Sequence, residues 1–118
     1  MSIQSINNKL FIDHDDYTTV GSSVNDLATN STCIMVVPAT TNDAITGFVP
    51  EGVLTGEWKW VINNHASKNL VLKHNTGSTA GSRIFTSAGT DLTLTPYQQA
   101  QLMYVDDPSR PGWWVLNT

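Results

Sequence analysis

The sequence predicts an all-β protein, and three observations support this prediction. Only 14% of the 118 residues are charged, against about 25% in an average domain, whereas Thr, Ser and Asn are abundant. Exposed helix faces usually carry Lys and Glu, so a Thr-rich chain this poor in charge favours strands. Short apolar segments also recur between turn residues at the spacing typical of sandwiches and barrels. We expect one domain over residues 1–118, because this length supports one ordinary core.

The first half of the chain contains four candidate strands. Residues 9–12 form the first, closed by a turn at residues 13–16, and residues 17–20 form the second. Residues 32–37 are the most apolar segment, and their lack of alternation predicts a strand covered on both faces. Residues 45–49 are a weaker candidate that ends at a Pro-Glu-Gly turn.

The second half is predicted to contain more strands. Residues 53–62 alternate with a period of two, which is typical of a strand with one buried face: Trp58, Trp60 and Ile62 share one side, and Glu57, Lys59 and Val61 share the other. The further candidates are residues 69–74, 83–86, 91–95, 98–105 and 113–117. The links are too short for crossover helices, so we expect neighbouring strands to be antiparallel. The prediction is an antiparallel, jelly-roll-like β-sandwich of about eight to ten short strands.

Groups that carry chemistry are scattered along the chain rather than clustered. Asp13-His14-Asp15-Asp16 is the most polar segment, but consecutive side chains diverge, so we interpret it as a solvated turn. His65 and His74 flank a predicted strand, and a zinc site would need further ligands. Cys33 lies in an apolar segment without a nearby cation, which favours a buried small side chain over a nucleophile. We expect no metal, no cofactor and no enzymatic activity.

The charge balance and the amino-terminal sequence exclude other classes of partner. Six Lys and Arg against ten Asp and Glu form no basic patch, so we expect no binding to nucleic acid. No segment approaches the roughly 18 apolar residues of a membrane span, and we expect no membrane contact. The first residues have neither a basic region nor an apolar run, which predicts synthesis in the cytoplasm without a signal peptide.

The tryptophans are the most informative side chains. Trp58, Trp60, Trp113 and Trp114 are compatible with an interface between subunits or with a platform for sugars. Trp113 and Trp114 are adjacent, so in a strand they point to opposite faces and one of them points away from the core. We favour the subunit interface, and keep incidental exposure and then the sugar platform as the alternatives.

The order of motifs in the second half carries a resemblance to a known group of proteins. An asparagine-ended strand is followed by a leucine-x-leucine strand, an arginine-isoleucine strand, a leucine-x-proline segment, an aromatic-Asp turn and a tryptophan strand. The motifs are residues 61–64, 69–74, 82–86, 89–96, 102–107 and 113–115. Residues 53–116 thereby resemble a β-sandwich module of tailed-bacteriophage virion proteins, which include capsid decoration (cement) proteins, head fibres and tail-fibre tips.

The resemblance implies a function in the virion. Such proteins are usually homotrimers, so it implies a trimeric decoration protein, made in the host cytoplasm, that binds the major capsid protein and stabilises the assembled head. A trimer that binds only the assembled shell would stabilise it by mass action. The alternative is a tail-fibre or receptor-binding tip protein that recognises polysaccharide on the host surface. Residues 1–8 are a candidate arm that reaches the shell or a neighbouring subunit.

We expect eight residues to contribute to binding or to subunit contacts. Tyr104 leaves its strand into a turn and a tryptophan returns beside it, so the two aromatic side chains are predicted to pair across the hairpin. The candidate contact residues are Leu10, Phe11, Ile12, Trp58, Trp60, Tyr104, Trp113 and Trp114.

Overall fold

The computed structural model describes residues 3–6, 9–12, 14–19, 21–29, 31–50 and 55–117, with backbone alone for residues 3–12. The described residues contain strands and no helix, which confirms the all-β prediction. These residues contain twelve strands, more than the eight to ten expected for the chain. They are β1 (Ile3–Ile6), β2 (Lys9–Ile12), β3 (His14–Thr18), β4 (Ser23–Val24), β5 (Cys33–Val37), β6 (Asp43–Ile45), β7 (Trp58–Asn63), β8 (Leu70–Leu72), β9 (Ile84–Phe85), β10 (Leu92–Leu94), β11 (Gln99–Val105) and β12 (Gly112–Asn117).

The strands form three sheets. One has six strands in the order β3-β5-β7-β11-β12-β9, and a second has four in the order β10-β8-β6-β4. The third is the antiparallel pair of β1 and β2. Residues 3–6 of the predicted N-terminal arm thus belong to a strand pair. The side chains of Leu10, Phe11 and Ile12 lie outside the described residues.

The prediction of antiparallel neighbours is wrong for much of the molecule, because both larger sheets are mixed. The pairs β3–β5, β5–β7, β4–β6, β6–β8 and β9–β12 are parallel. From β3 to β11, consecutive strands alternate between the six-stranded and the four-stranded sheet. A strand of the opposite sheet therefore replaces the crossover helix, and the chain returns to the first sheet in its original direction.

The predicted turn at residues 13–16 is also wrong where the structure describes it. His14, Asp15 and Asp16 begin β3, while Asp13 lies outside the described residues. The strand pairs with β5 along its length and forms one edge of the six-stranded sheet. Charged side chains are compatible with an edge strand, because one of its sides faces solvent and charge there discourages pairing with other chains.

One core lies between the inward faces of the two larger sheets. The six-stranded sheet contributes side chains such as Ile34, Val61 and Leu102, and the four-stranded sheet contributes others such as Ile45 and Leu72. All five are completely buried and belong to a single cluster. The two sheets therefore share one hydrophobic core, as expected for a single domain.

The buried faces of β5 and β7 are not the ones that the positions of the apolar residues alone would indicate. In β5 the burial alternates, so only Ile34 and Val36 are buried and the strand is not covered on both faces. In β7 the inward residues are Lys59, Val61 and Asn63, whereas the apolar side with the two tryptophans points outward. The Lys59 ammonium donates to the Ser31 carbonyl oxygen at 3.1 Å. The Asn63 amide donates to two backbone carbonyls, so both polar groups have acceptors inside the fold.

Candidate contact surface and cleft

The outward face of the six-stranded sheet carries a continuous apolar surface. Alternation places every second residue of β5, β7, β11 and β12 on this face. Seven apolar residues of this face lie on adjacent strands; Trp58 is 39% exposed and the other six are partly buried. We define the outer patch as Cys33, Met35, Trp58, Trp60, Ile62, Met103 and Trp114.

The strand registers bring the members of the outer patch side by side. Cys33 lies opposite Trp60, and Met35 lies opposite Ile62, in the parallel pair of β5 and β7. Met103 lies opposite Trp58 on one side and opposite Trp114 on the other. The patch therefore crosses four neighbouring strands without a charged side chain between its members.

A shallow hollow lies within the outer patch, next to the edge strand. It has a volume of about 270 Å³ and is lined by Cys33, Met35, Trp60 and Ile62 together with His14 and Gln99. Burial raises the pKa of the Cys33 thiol, and the Asp16 carboxylate adds to this effect. A raised pKa keeps the sulfur protonated at neutral pH, so the hollow lacks the thiolate that a cysteine nucleophile requires.

Two indole groups of the outer patch lack hydrogen-bond partners in the described part of the chain. They are the Nε1 atoms of Trp60 and Trp114, both of which are buried. A buried donor without an acceptor costs free energy, typically about 1–3 kcal/mol. The isolated chain thus holds both apolar surface and unsatisfied donors on this face of the sheet.

The other two predicted aromatic residues lie in the core. Tyr104 and Trp113 are opposite each other in the hairpin of β11 and β12, with ring centroids 5.3 Å apart, which confirms the predicted cross-strand pair. Trp113 is 1% exposed, and its Nε1 donates to the Phe48 carbonyl oxygen at 2.9 Å. Trp113 and Trp114 point to opposite faces, as the sequence predicts. Because Trp113 is buried, the four tryptophans do not share one surface.

A separate cleft of about 440 Å³ opens where three loops meet at the β9 edge of the sheet. One loop follows β8 and contributes His74 and Asn75, and a second follows β9 and contributes residues 86–89. Arg110 comes from the segment that leads into β12. The stacked rings of Phe85 and Trp114 also line the cleft, with centroids 4.9 Å apart and planes at 21°.

One cationic side chain, Arg110, lines the cleft beside the His74 ring. The backbone N–H of Thr86 donates to Nδ1 of His74 at 3.0 Å, so the neutral ring carries its proton on Nε2. The Arg110 guanidinium has no partner in the part of the chain that the structure describes. Nearby, Asp91 accepts from the backbone N–H of His74 and pairs with Lys73, and these contacts hold the pKa of Asp91 below its ordinary value. Among the described residues that line the cleft itself, none carries a carboxylate.

Sequence reasoning missed the cleft. His74, Phe85 and Arg110 are far apart in the chain and follow no spaced motif. The described residues contain no group of three or more His, Cys, Asp or Glu arranged to hold a metal ion. Across the same residues, no helix has the length and apolar character needed to cross a membrane.

No family model matches the chain, no curated protein matches it, and no solved structure matches it.

Proposed function

We propose that this chain is a non-enzymatic structural protein of a bacteriophage virion, a trimeric decoration protein that binds and stabilises the head shell. In this proposal the two larger sheets form a jelly-roll-like β-sandwich, and the outer patch supplies the contact between subunits. The observation that carries the proposal is the outer patch itself.

The composition of the outer patch suits a protein contact. Aromatic residues and methionine are enriched at the centres of interfaces, whereas charged residues are depleted there. Trp58, Trp60 and Trp114 are of the residue type that most often dominates binding energy. Soluble monomers seldom expose contiguous apolar surface of this kind without a partner. A subunit contact over the patch would remove apolar surface from water.

The virion context rests on the resemblance of residues 53–116 to phage modules. A trimer presents three copies of each surface to a shell that is itself repetitive. Weak contacts to the major capsid protein would then reinforce one another through effective concentration. Binding to the assembled shell alone would stabilise that state.

The first experiment measures the oligomeric state by sedimentation equilibrium. We expect a species with three times the mass of the chain. Trp58→Ser, which removes an exposed aromatic from the outer patch, should shift it towards monomer. Tyr97→Ser is the matched control, because Tyr97 is 64% exposed and lies outside the patch. A wild-type monomer, or equal effects of both variants, would contradict the proposed trimer contact.

The second experiment tests whether the protein binds and stabilises the head shell. Purified protein is mixed with expanded, undecorated heads of the phage that encodes it, and the heads are sedimented. We expect the protein to sediment with the heads and to raise their disruption temperature. A protein that stays in the supernatant and leaves the disruption temperature unchanged would refute the decoration function, whatever its oligomeric state.

A further inference from the structure

The cleft at the β9 edge combines three features that suit a small polar ligand. It has an aromatic wall, two nitrogen donors without partners in the described chain, and a rim of small polar groups from Asn75, Thr86 and Ser87. Its volume of about 440 Å³ lies within the range of small-molecule sites, roughly 300–1,000 Å³. Features of this kind are used to orient a ligand through a few polar contacts beside an apolar wall.

We propose that this cleft is a binding site for a saccharide unit that carries one carboxylate. The Arg110 guanidinium binds the carboxylate, and the Nε2–H of His74 donates to a ring or hydroxyl oxygen. The partly buried Trp114 ring, which stacks on the buried Phe85 ring, contacts the apolar C–H face of the sugar ring. Trp114 belongs both to the cleft and to the outer patch, so the cleft adjoins the proposed trimer contact. Saccharide binding does not depend on shell binding.

The charge of the cleft favours a carboxylate over other ligands. Arginine binds carboxylates through two parallel hydrogen bonds, and such charge-assisted bonds are about twice as strong as neutral ones. Among the described residues that line the cleft, Arg110 is the one lysine or arginine. A single guanidinium can neutralise a single anionic group of the ligand. The chain as a whole has a net charge of −4. Ligands with several phosphates are therefore repelled more strongly than a ligand with one carboxylate.

The shape of the cleft favours a sugar over a planar base. Phe85 is 6% exposed, with one face stacked on Trp114 and the His74 ring near it at 86°. The two rings already stack on each other, so no free gap between them receives a planar base. A sugar needs only one apolar wall together with hydrogen-bond groups at the rim, and the cleft offers both.

The test measures binding to a panel of uronate oligosaccharides by isothermal titration calorimetry. Each acid is paired with its methyl ester, so that the two ligands differ only at the carboxyl group, which is charged in the acid and neutral in the ester. We expect at least one acid to bind about tenfold more tightly than its ester, because the ester lacks the negative charge and the second equivalent oxygen that a carboxylate offers to the guanidinium. Ligand-induced NMR shifts should occur at Phe85 and Trp114 and be absent at Trp58.

Variants of Arg110 test whether its guanidinium causes the preference for the acid over the ester. Arg110→Gln should abolish the preference for the acid, and Arg110→Lys should keep part of it, because lysine retains the charge without the planar fork. Lys68→Gln, which removes a cation outside the cleft, is the control and should bind as wild type does. Thermal melts of each variant confirm that it is folded.

Four results would overturn the proposal. The first is that no acid in the panel binds at millimolar concentration, and the second is that acid and ester bind equally. The third is that Arg110→Gln binds the acid as wild type does. The fourth is that a nucleoside monophosphate binds more tightly than every saccharide and loses its affinity in Arg110→Gln, which would make the cleft a phosphate site.

Discussion

Buried polar side chains in this protein are held by short hydrogen bonds. Asp43 is 2% exposed, accepts the Thr19 hydroxyl at 2.6 Å and accepts the backbone N–H of Thr40 at 3.0 Å. The hydrogen bonds from Thr19 and then Thr40 hold the pKa of Asp43 below its ordinary value. Asp43 thereby ties the start of β6 to the segment that follows β3.

Asp43→Asn should lower the free energy of unfolding at pH 7 by about 1–2 kcal/mol, the cost of weakening these bonds. Because folding lowers the pKa of Asp43, its carboxylate stabilises the fold fully above the unfolded pKa of about 3.9. This contribution is lost as the pH falls through the lower, folded pKa. The difference between wild type and variant should therefore shrink at acidic pH.

Urea unfolding at pH 7 and at pH 3 measures this difference. Asp16→Asn is the control, because it removes a carboxylate that is largely exposed and should change stability little at either pH. A difference between wild type and Asp43→Asn that stays constant with pH would show that the charge of Asp43 is not responsible.

The sequence predicts where many of the strands lie, but it does not predict which strands pair with each other. The segments predicted at residues 98–105 and 113–117 are strands, as β11 and β12, and they form the expected antiparallel hairpin. The segments at residues 69–74 and 91–95 also contain strands. The sequence does not predict which sheet each of these strands joins, because local alternation indicates a strand but not its neighbours.

Close backbone approach joins the two larger sheets after β6. Gly47 forms an isolated antiparallel bridge with Arg83. A Cβ atom at Gly47 would lie 2.0 Å from the Ser82 carbonyl oxygen and 2.6 Å from Ser78 Oγ. A distance of that size to backbone cannot be relieved by a side-chain rotation.

Gly47→Ala should therefore destabilise the protein by about 2–3 kcal/mol, as overpacking does. Gly81→Ala is the matched control. Gly81 has a φ of +93° but no atom within 4 Å of an added Cβ, so only backbone strain of about 1 kcal/mol is expected. Chemical denaturation measures both variants. If Gly47→Ala were no less stable than Gly81→Ala, the close approach at Ser82 would be refuted.

Together, the ten strands of the two larger sheets enclose one core while the chain passes back and forth between these sheets. This arrangement makes β7 and β11 central in the six-stranded sheet and leaves β3 and β9 at its edges. Core positions such as Val61 and Leu102 are completely buried, whereas four of the five residues of β3 are exposed. Resistance to opening should therefore rise from the edge strands to the centre.

Hydrogen exchange followed by NMR tests this order directly. The amides of Val61 and Leu102 should exchange most slowly, at the rate of global unfolding. The amides of Asp15 and Tyr17 in β3 should exchange faster, through local opening at the sheet edge. Equal protection of β3 and β7 would contradict the edge position of β3.

The candidate surfaces were predictable in part. Trp58, Trp60 and Trp114 were expected at a contact because of their residue type and alternation, and they lie on the outward face of the sheet. Nothing in the sequence shows that Trp113 rather than Trp114 enters the core, since adjacent strand residues differ only in the face they take. Nothing in the sequence indicated that Arg110 lines a cleft, because the other residues of the cleft come from distant loops of the chain.

The amino-acid sequence by itself determined that this protein is built of short strands around one core, because strand propensity, alternation and turn residues are local properties. The tertiary structure decided which strands pair, and in which direction, because parallel pairing arises from passage through the opposite sheet. It also decided that β7 buries Lys59 and Asn63 and turns Trp58 and Trp60 outward. That choice depends on acceptors at Ser31, Lys68 and Leu94, which only the folded chain brings within reach.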